Sequence, residues 1–299
     1  MSTEFRVKAA ALNLRSTPGV NPNNRIAVLP QGQLVNKLSE SGVGNWWEVS
    51  TTINGHLLKG FVASNRLSKV DEVEATINAP AGSIPPVHLL RNALISRNQE
   101  GGRAFALNEP GQPSRNLSSP AKSLTEIINW LKVEQSERYL PGNSSTFCNI
   151  YAYDYAYLAG AFLPRVWWTR KAIIDIQDGN NVPVRYGETV RELNANSIFD
   201  WFEDFSADFG WTRVFDITQL QEAANQGQVC IINAQRTNLN ASGHICAVVP
   251  EVEGNKASRA SSEVIMPLQS QAGAHNFRYG VSTWWKGSQF RSFGFWTHA

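Results

Sequence analysis

The chain has 299 residues, which at roughly 150 residues per domain allows one large domain or two modest ones. It is 42% hydrophobic and 17% charged, a composition that excludes an intrinsically disordered chain. Lys+Arg 27 against Asp+Glu 25 leaves a net charge of +2, too balanced for a protein that binds nucleic acid by neutralising phosphates. No apolar run approaches the ~20 residues of a membrane-spanning helix. We therefore expect neither nucleic acid nor membrane as a partner.

The cysteines are few and odd in number: Cys148, Cys230 and Cys246. At most one disulfide can form, so a secreted disulfide framework is excluded. There is no Cys-x-x-Cys or His-x-x-x-His pair, and we expect no metal and no cofactor. Residues 1–8 lack the apolar core of a signal peptide. Either the protein starts in the cytoplasm or a targeting segment is missing from the sequence.

Residues 5–70 are predicted to form a small β-barrel. Short apolar segments alternate there with Gly, Pro and Asn, a spacing typical of barrel strands. The predicted strands are Phe5–Val7, Leu12–Leu14, Ile26–Leu29, Leu34–Leu38, Trp46–Val49 and Leu57–Val62. Asn54-Gly55 predicts a tight hairpin between the last two, because a type I′ turn needs two residues that tolerate positive φ.

Four ordered motifs in this region resemble the bacterial Src-homology-3-like domain. They are Leu-Asn-Leu-Arg-Ser-Thr-Pro (Leu12–Pro18), Leu-Pro-Gln-Gly (Leu29–Gly32), Trp-Trp-Glu-Val (Trp46–Val49) and Gly-Phe-Val (Gly60–Val62). The resemblance implies a domain over residues 1–70 that tethers a cell-wall enzyme to peptidoglycan. A packing module without a ligand is the alternative.

Residues 71–86 are predicted to be a linker, since Pro80, Gly82, Pro85 and Pro86 punctuate them. A second domain is predicted over residues 87–299. Its first helix is expected from a capping box at Ser123–Glu126, in which Ser and Glu bond each other's backbone amides.

Three further helices and four strands are predicted in chain order. One helix runs from Ser145–Cys148 to Gly160, one starts at Asn194, and one runs from Asp216 as N-cap to Gly227. Strands follow at Val229–Ala234, Ile245–Val249 and Val264–Gln269, with a Trp- and Phe-rich segment over 284–296. Helices followed by an antiparallel sheet indicate an α+β fold.

Cys148 is the candidate nucleophile. The loop-like run 141–147 precedes it and a helical run follows, so the thiol is expected at a helix N-terminus. Unpaired amides and the positive end of the helix dipole favour the thiolate there, and the thiolate is the attacking species in acyl transfer. Buried, inert cysteine is the alternative. Cys246, within a predicted strand, lacks the helix dipole, and Cys230 is interpreted as core.

His244 is the candidate base. It follows Gly243 at the start of the strand Ile245–Val249, where it can face a helix packed on the sheet and accept the thiol proton. A solvated loop histidine is the alternative. His275 competes with it, in a turn after the next strand. The pairs Trp167-Trp168 and Trp284-Trp285 are able to form substrate walls, but paired aromatics are more often half core and half surface, so we do not assign them as binding residues.

A nucleophile on a helix followed by a base on a strand is similar to the papain-like cysteine hydrolases of the NlpC-type and CHAP-type superfamily. The matching stretches are Thr146–Asn149 with its helix, Gly243–Val249, and Asn225–Gly227 leading into Val229–Asn233. The resemblance implies cleavage of amide or peptide bonds in bacterial peptidoglycan. It also implies that Cys148 attacks the carbonyl, that His244 serves as base and then as acid, and that a third polar side chain orients the imidazole.

The third residue departs from the family pattern. The strand Val264–Gln271 carries no His, Asp, Asn or Glu near its middle, but Gln269 and Gln271 share a parity and hence a face. Either amide oxygen is able to accept the imidazole N–H. Glu251 is interpreted as a solvated charge, and Asn276 stays open.

The leading hypothesis is therefore a peptidoglycan endopeptidase or amidase whose substrate is the stem peptide. It fits a phage lysin or a toxin delivered to rival cells, with an immunity protein or secretion machinery as a further partner. Such a protein is made in the cytoplasm and acts in the periplasm or the extracellular wall. An acyltransferase or transglutaminase with the same thiol, and a catalytically dead wall-binding protein, stay open.

Overall fold

The computed structural model describes residues 4–7, 9, 11–30, 33–53, 56–69, 83–142 and 145–299. Their contacts divide the chain into two compact units. One comprises Met1–Glu74 with Arg185–Thr189, and the other comprises Ala75–Val184 with Val190–Ala299. Most of the predicted linker 71–86 lies outside the described residues, so the predicted domain boundaries stay a prediction.

The first unit is a seven-stranded antiparallel sheet. Its strands are β1 (Glu4–Val7), β2 (Ala11–Arg15), β3 (Arg25–Pro30), β4 (Leu34–Glu40), β5 (Trp46–Ile53), β6 (His56–Ala63) and β7 (Leu67–Lys69). β5 and β6 pair from Trp46 opposite Ala63 to Ile53 opposite His56. The predicted turn Asn54–Gly55 itself lies outside the described residues.

The hydrogen-bonded strand order is β3-β2-β6-β5-β4-β1-β7. β3 and β7 are its two edges, and among the described residues no pairing joins them. The sheet is therefore open there, and the predicted barrel does not close. Alternate side chains of the strands still form an apolar core, made of Val7, Leu12, Leu14, Leu29, Val35, Val49, Val62 and Leu67.

The second unit has helices interspersed with strands. The helices are α1 (Pro120–Leu131), α2 (Cys148–Leu158), α3 (Arg170–Gln177), α4 (Ala195–Phe205) and α5 (Ile217–Asn225). The strands are β8 (Val166–Trp168), β9 (Val190–Glu192), β10 (Trp211–Val214), β11 (Val229–Arg236), β12 (His244–Val248), β13 (Ser258–Ala260), β14 (Glu263–Met266), β15 (Leu268–Gln271), β16 (Phe277–Val281) and β17 (Phe290–His298). The described fold is mixed, rich in sheet and compatible with the predicted α+β class.

A six-stranded antiparallel sheet in the order β10-β17-β11-β12-β15-β16 forms the centre of this unit. β8 pairs with β9 and β13 with β14 in two small ribbons. The central strands β11 and β12 are almost wholly buried, which explains the unbroken apolar runs Val229–Ile232 and Ile245–Val248 within them. None of the described helices has the length and apolar character to span a membrane.

Two helix starts agree with their local signals. Asn194 caps α4 by accepting the Ser197 N–H at 3.0 Å, and Asp216 caps α5 by accepting the Gln219 N–H at 2.8 Å. Each satisfies an amide that has no partner within the helix.

Three sequence predictions were wrong in detail. α1 begins at Pro120 rather than at a capping box on Ser123, because proline favours the first helical position and the Ser123 hydroxyl donates to the Pro120 carbonyl instead. α3, capped by Thr169, was not predicted. The single strand Val264–Gln271 is two strands, since Pro267, which lacks an N–H, separates β14 from β15.

Candidate active site

Cys148 is the first residue of α2, as its flanking sequence predicted. Its thiol is only 4% exposed. Burial raises the pKa of this thiol, and the backbone N–H groups of Ile245, Asn149 and Cys148 itself lower it by pointing at the sulfur. Two of these donors are unpaired amides of the first helical turn, and the third belongs to β12. The thiol is therefore wedged between a helix start and a strand.

His244 is the first residue of β12 and is partly exposed. Its Nε2 lies 2.7 Å from Oε1 of Gln271, the last residue of β15. The Gln271 Nε2 donates to the His275 carbonyl at 3.2 Å, which fixes the amide with its oxygen toward the ring. Nε2 must then carry the proton, and Nδ1 is the free acceptor.

Burial lowers the pKa of His244, the bond to Gln271 raises it, and the charge of Arg236 lowers it. The lowered pKa of the imidazole and the raised pKa of the thiol both favour the neutral forms. The Ile245 N–H that points at Cys148 belongs to the residue after His244, so the thiol lies against the start of β12, the strand that His244 begins.

Gln269 does not hydrogen-bond His244, although it lies on the same strand as Gln271. Its Oε1 accepts the indole N–H of Trp284 at 2.8 Å and the Cys246 thiol at 3.3 Å. Its Nε2 donates to the carbonyls of Pro267 and Ser282. The Gln269 amide is thus fully used, and its side chain is buried. Of the two glutamines, Gln271 is the one that contacts the imidazole, and the orienting role stays a prediction.

The remaining candidates are occupied elsewhere. The Asn276 Nδ2 donates to the carbonyls of Val133 and Tyr139, and its Oδ1 accepts the Gly273 N–H. The His275 side chain is exposed, and its carbonyl serves Gln271.

Glu251 is not the solvated charge that its sequence context indicated. Its carboxylate accepts hydrogen bonds from Nη1 and Nη2 of Arg259 at 2.7 and 2.8 Å. It also accepts hydrogen bonds from the Asn225 side-chain amide and the Ala257 N–H, both at 2.8 Å. These donors lower the pKa of Glu251 to about 2. Its role is to hold the chain after β12.

Trp284 is a contact of the site that sequence reasoning did not assign. Its indole meets the His244 ring edge-on, with centroids 4.4 Å apart. It thus covers the imidazole on one side, and Gln269 holds it through its N–H. The sequence offered the Trp284-Trp285 pair as a substrate wall or as half core, and nothing local in it places Trp284 against a histidine 40 positions earlier.

Gly243 precedes His244 at a close approach of two backbones. A Cβ at this position would lie 2.5 Å from the Asn196 Oδ1 and 2.7 Å from the Ala234 carbonyl oxygen. The Asn196 Oδ1 is fixed, because it accepts the Arg236 N–H at 2.9 Å. Only glycine fits here, which explains the Gly-His pair.

A buried charged cluster, which we call the Arg138–Asp154 cluster, holds α2 from behind. Arg138 donates to Asp154 through Nε at 2.6 Å and Nη2 at 3.0 Å, and the Tyr139 hydroxyl donates to the same carboxylate at 2.9 Å. Arg138 also donates to the carbonyls of Gly102 and Phe105. Both charged side chains are fully buried.

No protein-family model matches the chain, and the search of curated proteins finds no match. Among solved structures, the chain is similar to the structure of NlpC2 from Trichomonas vaginalis at 10% identity, over 94% of this chain and 71% of that one. The TM-score of this comparison is 0.20, which carries no argument about fold or activity. Within the described part of the chain, no group of three or more His, Cys, Asp or Glu side chains is arranged to hold a metal ion.

Proposed function

We propose that the second unit is a cysteine hydrolase that cleaves an amide or peptide bond. Cys148 is the nucleophile, His244 the general base and acid, and Gln271 the residue that orients the imidazole. The observation that carries the proposal is the 2.7 Å bond from His244 to Gln271 beside a thiol at the first turn of α2.

The first half of the reaction transfers the acyl group to sulfur. His244 Nδ1 takes the Cys148 proton as the sulfur attacks the carbonyl carbon, and a tetrahedral oxyanion forms. We assign its stabilisation to the backbone N–H groups of Cys148 and Asn149, which point at the sulfur and hence lie next to the reacting carbon. The C–N bond then breaks, and the proton passes from His244 to the leaving amine.

Water completes the cycle. It gives a proton to His244 and attacks the thioester, the C–S bond breaks, and the imidazole returns the proton to the Cys148 sulfur. Because both groups rest in their neutral forms, His244 acts as a true base in each half-reaction rather than as one half of a standing ion pair.

As substrate we propose the stem peptide of bacterial peptidoglycan, with action in the periplasm or the extracellular wall. The support is the resemblance of the first unit to wall-tethering Src-homology-3-like domains, carried by Leu12–Pro18 and the other three motifs, together with the Cys148 and Gly243-His244 motifs of the second. A lysin and a delivered toxin both fit this chemistry, and a delivered toxin adds an immunity protein or secretion machinery as a partner.

The test is the release of new amines from purified sacculi. We expect C148A to lower the rate by at least about 10³-fold. Cys230→Ala, which removes an equally buried thiol from the sheet, is the control and should leave the rate near that of the wild type. Sacculi that release no amines with wild-type protein, or equal rates for wild type and C148A, would overturn the proposal. Added amines that appear in the products would instead indicate an acyltransferase.

A further inference from the structure

Three side chains are linked to His244 by successive contacts. The Trp284 ring lies 4.4 Å from the His244 ring and 5.4 Å from the Phe290 ring, centroid to centroid. The guanidinium of Arg236 lies 5.1 Å from the centroid of Phe290. These contacts connect the imidazole to a cation. Trp284, Phe290 and Arg236 are all partly exposed.

Arg236 is held in a fixed orientation without a counter-charge. Its Nε donates to the Ser242 carbonyl at 2.9 Å, and its ring contact is with Phe290. Across the described residues it forms no ion pair with a carboxylate. Its two terminal nitrogens therefore present a planar fork that suits a carboxylate, which an arginine binds through two parallel hydrogen bonds.

The pairing of β11 with β17 is irregular beside Arg236. Gln235 lies opposite Ser292 and Arg236 lies opposite Phe290, so the residue left without a partner is Arg291 of β17. Gln235 and Arg236 are successive strand residues, whose side chains point to opposite faces. The Arg291 Nε donates to the Gln235 Oε1 at 2.8 Å, so Arg291 is engaged by Gln235 and not by Arg236.

The charge of Arg236 reaches the imidazole, since it lowers the pKa of His244. Arg291, whose side chain is bonded to Gln235 on the opposite side of the strand, does not contribute to the lowered pKa of His244. The same field that disfavours a second positive charge at His244 favours an anion beside it.

We propose that Arg236 binds a carboxylate of the substrate close to the scissile amide, with Trp284 and Phe290 forming the wall between this subsite and His244. This inference rests on the proposed function, and it narrows the substrate to a peptide that carries a free carboxylate near the cleaved bond. Arg236 is thus a specificity-determining residue for that peptide.

The test uses two alkylating reagents that differ only in charge, iodoacetate and iodoacetamide. Their rate constants at Cys148 are measured by peptide mass spectrometry on the full chain, and the ratio of iodoacetate to iodoacetamide is the readout. The reagents need only a reactive thiol, so the ratio tests the subsite separately from amide hydrolysis. We expect R236Q to lower the ratio about 3- to 10-fold, and added salt to diminish the difference.

R291Q is the matched control, because it removes the same charge from the neighbouring strand on the other face of the sheet. It should leave the ratio unchanged. R236K, which keeps the charge without the fork, should fall between wild type and R236Q. An unchanged ratio in R236Q, or an equal fall in R236Q and R291Q, would overturn the subsite.

If neither reagent alkylates Cys148, that result contradicts the proposed hydrolase but does not test the carboxylate subsite. A second measurement then tests the subsite without the thiol. Acetate and acetamide are titrated while the Trp284 indole N–H is followed by NMR. A saturable shift with acetate that is absent with acetamide and absent in R236Q supports the carboxylate subsite. No acetate-specific shift in wild-type protein overturns it.

Discussion

The Arg138–Asp154 cluster and the His244–Gln271 pair both fix the position of the site, but they do so with different chemistry. The cluster is charged and fully buried, and both carboxylate oxygens of Asp154 accept hydrogen bonds, from Arg138 and Tyr139. The pair is neutral, and its histidine is partly exposed. The buried ion pair fixes α2 in one position, whereas under the proposed mechanism the neutral amide of Gln271 leaves His244 able to take up and release a proton.

The two regions are connected through one loop. Tyr139, which donates to Asp154, offers its carbonyl to Asn276 at 3.0 Å, and Asn276 accepts the Gly273 N–H at 2.8 Å. This loop directly follows Gln271. The charged cluster therefore supports both α2, with its thiol, and the chain that follows Gln271, the hydrogen-bond partner of His244.

The largest effect is expected from breaking the charged cluster. Asp154→Asn leaves the buried Arg138 without a counter-charge and should lower the free energy of unfolding by about 3–5 kcal/mol. Urea denaturation measures it. Asp175→Asn removes the partner of the exposed Lys171 instead and should change stability by no more than about 0.5 kcal/mol. Similar losses in both variants would contradict the distinction between the two regions.

The next effect concerns the neutral pair. Gln271→Ala frees the imidazole and should lower kcat/KM on the order of 10²-fold with little loss of stability. Gln271→Glu adds a negative charge that raises the pKa of His244, so the acid limb of the rate–pH profile should move up by about 1 pH unit. The profile of the exposed Gln219→Ala should match wild type. If Gln271→Glu left the acid limb in place, the orienting role of residue 271 would be wrong.

A smaller effect should sharpen the comparison at a second charged cluster, around Glu251. The pKa of Glu251 falls from an ordinary 4.5 to about 2 in the folded protein. Its stabilisation is therefore complete above about pH 4.5 and is lost as the pH falls toward 2, a change of about 2 kcal/mol.

Glu251→Gln should flatten the dependence of the unfolding free energy on pH between 5 and 2.5, measured by urea denaturation. The exposed Glu263→Gln should keep the slope of the wild type. A wild-type slope in Glu251→Gln would mean that other carboxylates cause the acid sensitivity.

Local signals predicted those parts of the fold and site that depend on neighbours in sequence. The caps Asn194 and Asp216, the helix that begins at Cys148 and the strand that begins at His244 are of this kind. The parity of Gln269 and Gln271 likewise placed both on one strand, but it did not say which one reaches His244. Which glutamine bonds His244 depends on Trp284, because its indole N–H donates to the Gln269 Oε1 and so occupies that oxygen.

The misses have non-local or competing causes. Arg236 and Trp284 approach His244 only through the pairing of β11 with β17 and the turn before β17, and no spacing encodes this. The sequence indicated that Glu251 is solvated because its partner Arg259 lies eight residues later, and no sequence signal predicts the turn that brings the two together. The open edge between β3 and β7 depends likewise on long-range strand pairing.

The close approach at Gly243 has a consequence for protein engineering. Gly243, which leads into His244, passes close to the first turn of α4, so the start of β12 and this turn form one transplantable unit. Transferring His244 to another scaffold would require transferring the first turn of α4, which contains Asn196, together with it. Conversely, a random library that keeps the histidine but varies position 243 should return almost no working clones.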